Sequence, residues 1–234
     1  MLHTLYDRLA SLNLGLWLML GVLLLLGAGS FAGGGEGSSL NDLPLFVWLS
    51  QAPLAESWWL WATVALLAAL ALNTVLCSIE SLRSKYQRER FLFLVAPQVM
   101  HLGFLLIVLA HLVSAVGSFK QAMEVVEGSS IGFPDGTRVR VERLEAQLGP
   151  RGMPTDYHAQ LRSSADNGAQ IHRVSPNHPF FHGGFGLYLK HLQPVPFPIA
   201  LVEVHREPGA GLALIGALLF TAGNVLLLAV RRGR

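Results

Sequence analysis

The sequence predicts a membrane protein: an all-α transmembrane bundle of four helices, with a small β-rich extracytoplasmic domain between the third and fourth. Three observations carry this. The 234 residues are 52% hydrophobic and only 14% charged, where soluble domains carry about 25% charged residues. Four stretches reach the roughly 20 mostly apolar residues that cross a bilayer. They run from about Leu12 to Phe31, Trp58 to Ile79, Phe91 to Val116 and Gly209 to Val230. Between the last two, the composition turns polar and alternating. The chain therefore divides into 1–118 with three spans, 119–207 as the β-rich domain, and 208–234 as the fourth span with a basic tail.

The first span superficially resembles a signal peptide, because Ser30-Phe-Ala32 has the small residues of a cleavage site. Its apolar run is long for such a peptide, and cleavage would leave an odd number of spans. The span is expected to stay. After it, Gly33 to Gln51 is Gly- and Ser-rich and then turns apolar at Leu43-Pro-Leu-Phe-Val-Trp48. This reads as a flexible link leading into a short interfacial helix.

Charge sets the orientation. Arg83, Lys85, Arg88 and Arg90 crowd the link between the second and third spans, and Arg231, Arg232 and Arg234 follow the fourth. The loop from Gly33 to Ser57 has Glu36, Asp42 and Glu56 but no Lys or Arg. Under the positive-inside rule both termini and the basic link are cytoplasmic. The stretch from about Lys120 to Glu207 is then outside, in a bacterial inner membrane protein. The net charge of +2 is mostly this topological signal and points to no nucleic-acid partner.

Cys77 is the only cysteine. No internal disulfide, Cys-x-x-Cys redox pair or Cys-x-x-Cys-His haem attachment site exists, so the chain is not itself a c-type cytochrome. Cys77 reads as a small buried hydrophobe.

In the external segment, Thr137-Arg-Val-Arg-Val-Glu142 alternates as a half-buried strand does. Tyr157 to Arg162 and Ala169 to Val174 flank Asp166-Asn167-Gly168, a hairpin turn sequence. Leu187 to Lys190 and Ala200 to His205 complete roughly five strands. So small a domain buries a limited core and is expected to lean on the membrane or a partner.

His101 lies inside the third span, four residues after Pro97. At 1.5 Å per residue it is on the order of 14 Å from the cytoplasmic start. An unsatisfied polar group in hydrocarbon costs roughly 2–7 kcal/mol, so this imidazole must meet a helix, a water-filled cavity or a ligand. Two readings stand: an axial ligand to haem iron, or a hydrogen bond to a neighbouring helix. His111, ten residues on, sits about 15 Å further along and turned by about 80°, so the two cannot share one iron. It reads as a polar interfacial residue.

Outside lie His158, His172, His178, His182, His191 and His205. His178 and His182 have the spacing of helical metal ligands, but Pro179 and Gly183-Gly184 oppose a helix. A solvated or substrate-facing loop is the better expectation. Trp58, Trp59 and Trp61 read as an aromatic belt, and Asn73 as a hydrogen bond to another helix. No nucleophile–base arrangement or phosphate loop appears, so no catalytic residue is assigned.

The order of parts resembles the ResB (CcsB) family of System II cytochrome c biogenesis. Leu9-Ala-Ser-Leu-Asn-Leu-Gly-Leu-Trp17 is similar to the opening of these proteins, and Leu72-Asn73 through Cys77 to Arg83 to the end of their second span. His101-Leu-Gly-Phe-Leu-Leu-Ile-Val-Leu109 resembles the third, followed by Gly117-Ser-Phe119 and Val126-Glu-Gly128. Met153-Pro-Thr-Asp-Tyr157, Val174 to Pro179, Gly186-Leu-Tyr188 and Glu207-Pro-Gly209 continue the likeness. The resemblance implies a haem-handling subunit paired with a CcsA-type membrane protein. The pair carries haem b across the bilayer and supports its covalent attachment to apocytochrome c. It also implies that His101 is an axial ligand of haem iron held within the membrane. The opposing ligand and a tryptophan-rich platform belong to CcsA, whose pattern Trp58, Trp59 and Trp61 do not reproduce. The chain is thus not expected to complete the synthase alone. The competing readings are a b-type cytochrome subunit linked to quinone, which needs a second histidine at the depth of His101, and a non-enzymatic scaffold recruiting a partner through the β-domain.

Overall fold

The computed structural model describes residues 2–32, 43–85, 91–150, 154–165 and 168–232. These form two compact units, Met1–Gly117 with Pro208–Arg234, and Ser118–Glu207.

The helical unit holds α1 (Leu2–Leu9), α2 (Leu12–Ala32), α3 (Leu45–Gln51), α4 (Leu54–Lys85), α5 (Phe91–Gly117) and α6 (Ala210–Arg232). Helices α2, α4, α5 and α6 are each long and apolar enough to cross a membrane. The second span is longer than its apolar run suggests. Its 32 residues give about 48 Å of helix, because Leu54 to Ser57 and Glu80 to Lys85 extend it at both ends. The Gly- and Ser-rich link from 33 to 42 and the basic residues Arg88 and Arg90 lie outside the described residues.

Small residues decide which helices touch. On α5, Ala96, Gly103 and Ala110 are buried and recur every seven residues. A Cβ on Gly209, just before α6, would meet the Ala110 carbonyl, one on Gly216 of α6 the Gly103 carbonyl, and one on Gly223 the Ala96 carbonyl. A repeat of seven keeps contacts on one stripe of each helix, and glycine lets backbones approach where lipid supplies no hydrophobic drive. The α2–α4 pair follows the same logic: Gly15 faces Asn73, Gly21 faces Leu66 and Gly29 faces the Trp59 ring. Asn73, only 5% exposed, reaches past α2 to the junction before it. Its Nδ2 donates to the carbonyls of Leu9 at 2.6 Å and Ser11 at 3.1 Å. Ser11 Oγ in turn accepts from the Leu14 amide at the start of α2. The sequence suggested a helix partner for Asn73; the partner is the end of one helix and the cap of the next.

Among the described residues the β unit has eight strands, not about five: β1 (Phe119–Val126), β2 (Ser130–Gly132), β3 (Arg138–Leu148), β4 (Pro154–Ala165), β5 (Gly168–Val174), β6 (Phe180–His182), β7 (Phe185–Gln193) and β8 (Ile199–Arg206). They form two antiparallel sheets ordered β1-β8-β7-β6 and β2-β3-β4-β5. The inner faces interdigitate through Val139, Val141, Leu161, Val174, Leu187, Leu189, Val202 and Val204, among others, as in a sandwich. The missed strands have physical reasons. β2 and β6 span three residues each, too short to show a period. In β1 only Val125 is buried, so its alternation is faint, and its pairing with β8 is long-range. At the Asp166-Asn167-Gly168 turn sequence, Ala165 pairs with Gly168, while Asp166 and Asn167 lie outside the described residues.

Candidate functional site

His101 sits ten residues into α5, half-buried. Gly103, two residues on, packs on α6. Two residues rotate a helix by roughly 200°, so His101 projects from the opposite side, toward α4. There its Nδ1 lies 2.7 Å from Ser78 Oγ. α4 and α5 run in opposite directions, and this bond sets the two residues level. Nε2 has no hydrogen-bond partner among the described residues. One turn before His101, Gln98 Nε2 is buried and likewise lacks a partner among them.

Of the two readings of His101 left open by the sequence, the hydrogen bond to a neighbouring helix is present. The other ring nitrogen has no hydrogen-bond partner among the described residues. Ser78 is the residue that sequence reasoning missed. A polar residue on α4 about one turn beyond Asn73 and Thr74 was the available signal, but nothing local says that it meets His101.

His111 does not join the site. It is exposed, and its Nδ1 lies 2.8 Å from the Ile107 carbonyl of its own helix. Cys77 is half-buried, less enclosed than expected. Of the tryptophans, Trp59 is 6% exposed while Trp58 and Trp61 are open at 53% and 44%. Trp59 fills the notch left by Gly29 and packs with Leu49 and Leu60, so only two of the three present themselves as a belt.

The external histidines do not converge. No group of three or more His, Cys, Asp or Glu suited to a metal occurs among the described residues. His178 contacts Ser175 Oγ at 3.3 Å, whereas His182 Nε2 lies 2.8 Å from Asp135 Oδ2 and 3.0 Å from Thr137 Oγ1. His182 is in a strand rather than an open loop. His158 pairs with Glu145, His172 with Ser163 and His205 with Glu207. The Asp135 carboxyl is held below its usual range, chiefly by the backbone N–H of Thr137 and further by His182. The His158 and His172 contacts join neighbouring strands, and the His182 contact ties a turn to a strand.

A family model described as ResB-like matches residues 94–198. Residues 94–198 are ResB-like. The ResB-like region opens inside α5, contains His101 and ends one residue before β8. Ser78, on α4, lies outside it. No curated protein matches the chain. Among solved structures it is similar to one titled "Cytochrome c Heme Lyase CcmF", at 16% identity and a TM-score of 0.47, over 90% of this chain and 34% of that one. The chain thus spans about a third of that structure's length.

Proposed function

We propose that this ResB-like membrane protein is a cytochrome c biogenesis subunit that holds haem in transit together with a CcsA-type partner. Its cargo is haem b, and its acceptor downstream is apocytochrome c outside the membrane. The observation that carries the reading is the division of labour on one ring: Nδ1 of His101 is bonded to Ser78, and Nε2 has no partner among the described residues, within a helix long and apolar enough to cross a membrane. A free imidazole nitrogen in hydrocarbon needs a partner, and neutral imidazole suits iron.

With haem bound, His101 would be the residue of this chain that holds the iron, through Nε2. The second ligand comes from the partner, because His111 is turned onto its own helix ten residues away. The same fact counts against a self-contained b-type cytochrome. The glycine stripe packs α5, the helix that carries His101, closely against α6. The charge asymmetry supports cytoplasmic termini and an external β unit in a bacterial inner membrane.

The test uses the chain copurified with its CcsA-type partner. Haem should be retained in good yield only in the pair, with a bis-histidine b-type spectrum. His101→Ala should remove that haem and abolish cytochrome c maturation in an assembled complex, and added imidazole should partly restore maturation. Full retention of the haem spectrum by an assembled His101→Ala complex would remove the ligand assignment.

A further inference from the structure

We propose that Ser78 is a positioning residue for haem: it holds His101 in the tautomer and orientation that presents the Nε2 lone pair to iron. The proposal rests on the reading of His101 as a ligand and adds a second residue, on a different helix, that makes the ligand competent.

The argument begins with protons. A neutral imidazole has one N–H and one bare nitrogen. If the proton sits on Nε2, the ring cannot ligate through that atom. Ligation through Nε2 therefore requires the proton on Nδ1, where Ser78 Oγ, at 2.7 Å, accepts it. The hydroxyl's own proton then needs an acceptor. A serine inside a helix commonly donates to the carbonyl four residues back, which here belongs to Thr74. Thr74 and Thr63 make this same bond, to Leu70 at 2.8 Å and Trp59 at 2.7 Å, so hydroxyls of α4 already use it. Among the described residues Ser78 Oγ bonds only His101 Nδ1; turning its hydroxyl proton toward the Thr74 carbonyl when haem binds would present a lone pair to Nδ1–H. The opposite arrangement, in which Ser78 donates to Nδ1, forces the proton onto Nε2 and leaves an N–H facing hydrocarbon.

The bond also fixes the ring's rotation. A histidine on a helix has two free torsions, and a contact from a second helix removes most of that freedom. Metal-binding histidines almost always donate their other N–H in this way, and loss of the acceptor typically weakens metal affinity 10–100-fold. Because Nδ1–H is held by an acceptor, the imidazole is more basic and favours ferric over ferrous iron. Removing the hydroxyl should therefore raise the reduction potential.

The experiment compares Ser78→Thr and Ser78→Val in the complete complex with the CcsA-type partner. The two substitutions share a shape and differ in the hydroxyl, so a packing defect affects both equally. Haem dissociation to an external acceptor, displacement by added imidazole and the midpoint potential are measured, with His101→Ala alongside. The expected result is near-native behaviour for Ser78→Thr. Ser78→Val should release haem about 10- to 100-fold faster, yield to lower imidazole concentrations and titrate at a higher potential. If His101→Ala loses haem while the Thr and Val variants agree in all three readouts, the positioning role is overturned and the ligand reading stands. If the assembled His101→Ala complex keeps its haem, the ligand reading fails and takes this proposal with it.

Discussion

Gly103 and Gly216 meet back to back across two helices: the Cβ that Gly216 lacks would lie 2.8 Å from the Gly103 carbonyl oxygen. Both belong to stripes of small residues repeating every seven positions along α5 and α6. These two helices directly flank the β unit in the chain.

Gly216→Leu should force the pair apart. Overpacking a fitted contact costs about 1–3 kcal/mol, occasionally more, and a backbone carbonyl cannot swing aside as a side chain would. Less folded protein and a lower unfolding midpoint in detergent are expected. Gly211→Leu provides the control, since nothing lies within 4 Å of the Cβ it would add. Equal stability of the two variants would show that the stripe does not hold the helices.

Asn73→Leu removes both hydrogen bonds that hold the α1–α2 junction. Polar contacts of this kind inside membranes are worth about 0.6–2 kcal/mol. The expected outcome is faster proteolysis or hydrogen exchange at Leu9 to Leu14. Unaltered exchange there would mean that the junction is held by other contacts.

Asp135 gives the β unit a pH dependence of definite sign. Its carboxyl is depressed by the Thr137 amide and His182, so its contribution is complete above the unfolded pKa of about 3.9. That contribution is lost as pH falls below this value through the folded pKa. Asp135→Asn should flatten the pH dependence in that acidic window and leave it unchanged near neutrality. Exchange of the Thr137 amide, whose N–H donates to Asp135 Oδ1 at 2.9 Å, reports the change directly.

Topology can be read with reporter fusions. Alkaline phosphatase inserted near Asn167 should be active, and fusions after Arg88 or Arg234 inactive, because every basic cluster beside a span is then cytoplasmic. An active fusion after Arg88 would reverse the orientation.

Much of the architecture was legible residue by residue. Apolar runs long enough for a bilayer mark α2, α4, α5 and α6, since hydrocarbon excludes charge whatever the neighbours are. Val139 and Val141, and Val202 and Val204, alternate because each pair buries one face of a strand. His101 declared itself by being ionisable in such a run. The seven-residue stripes from Ala96 to Ala110 and from Gly209 to Gly223 were equally present in the sequence, yet spacing alone does not say which stripes pair.

What the tertiary structure decided are the partners. Ser78 and His101 are 23 positions apart, Asp135 and His182 are 47 apart, and β1 meets β8 from opposite ends of its unit. A periodicity records the environment of one segment. A hydrogen bond between two segments depends on which faces pack and at what level, and that is set by contacts summed along whole elements. For His101 this difference is concrete: the sequence raised the question of its partner, and only the packing of α4 on α5 answered with Ser78 on one ring nitrogen.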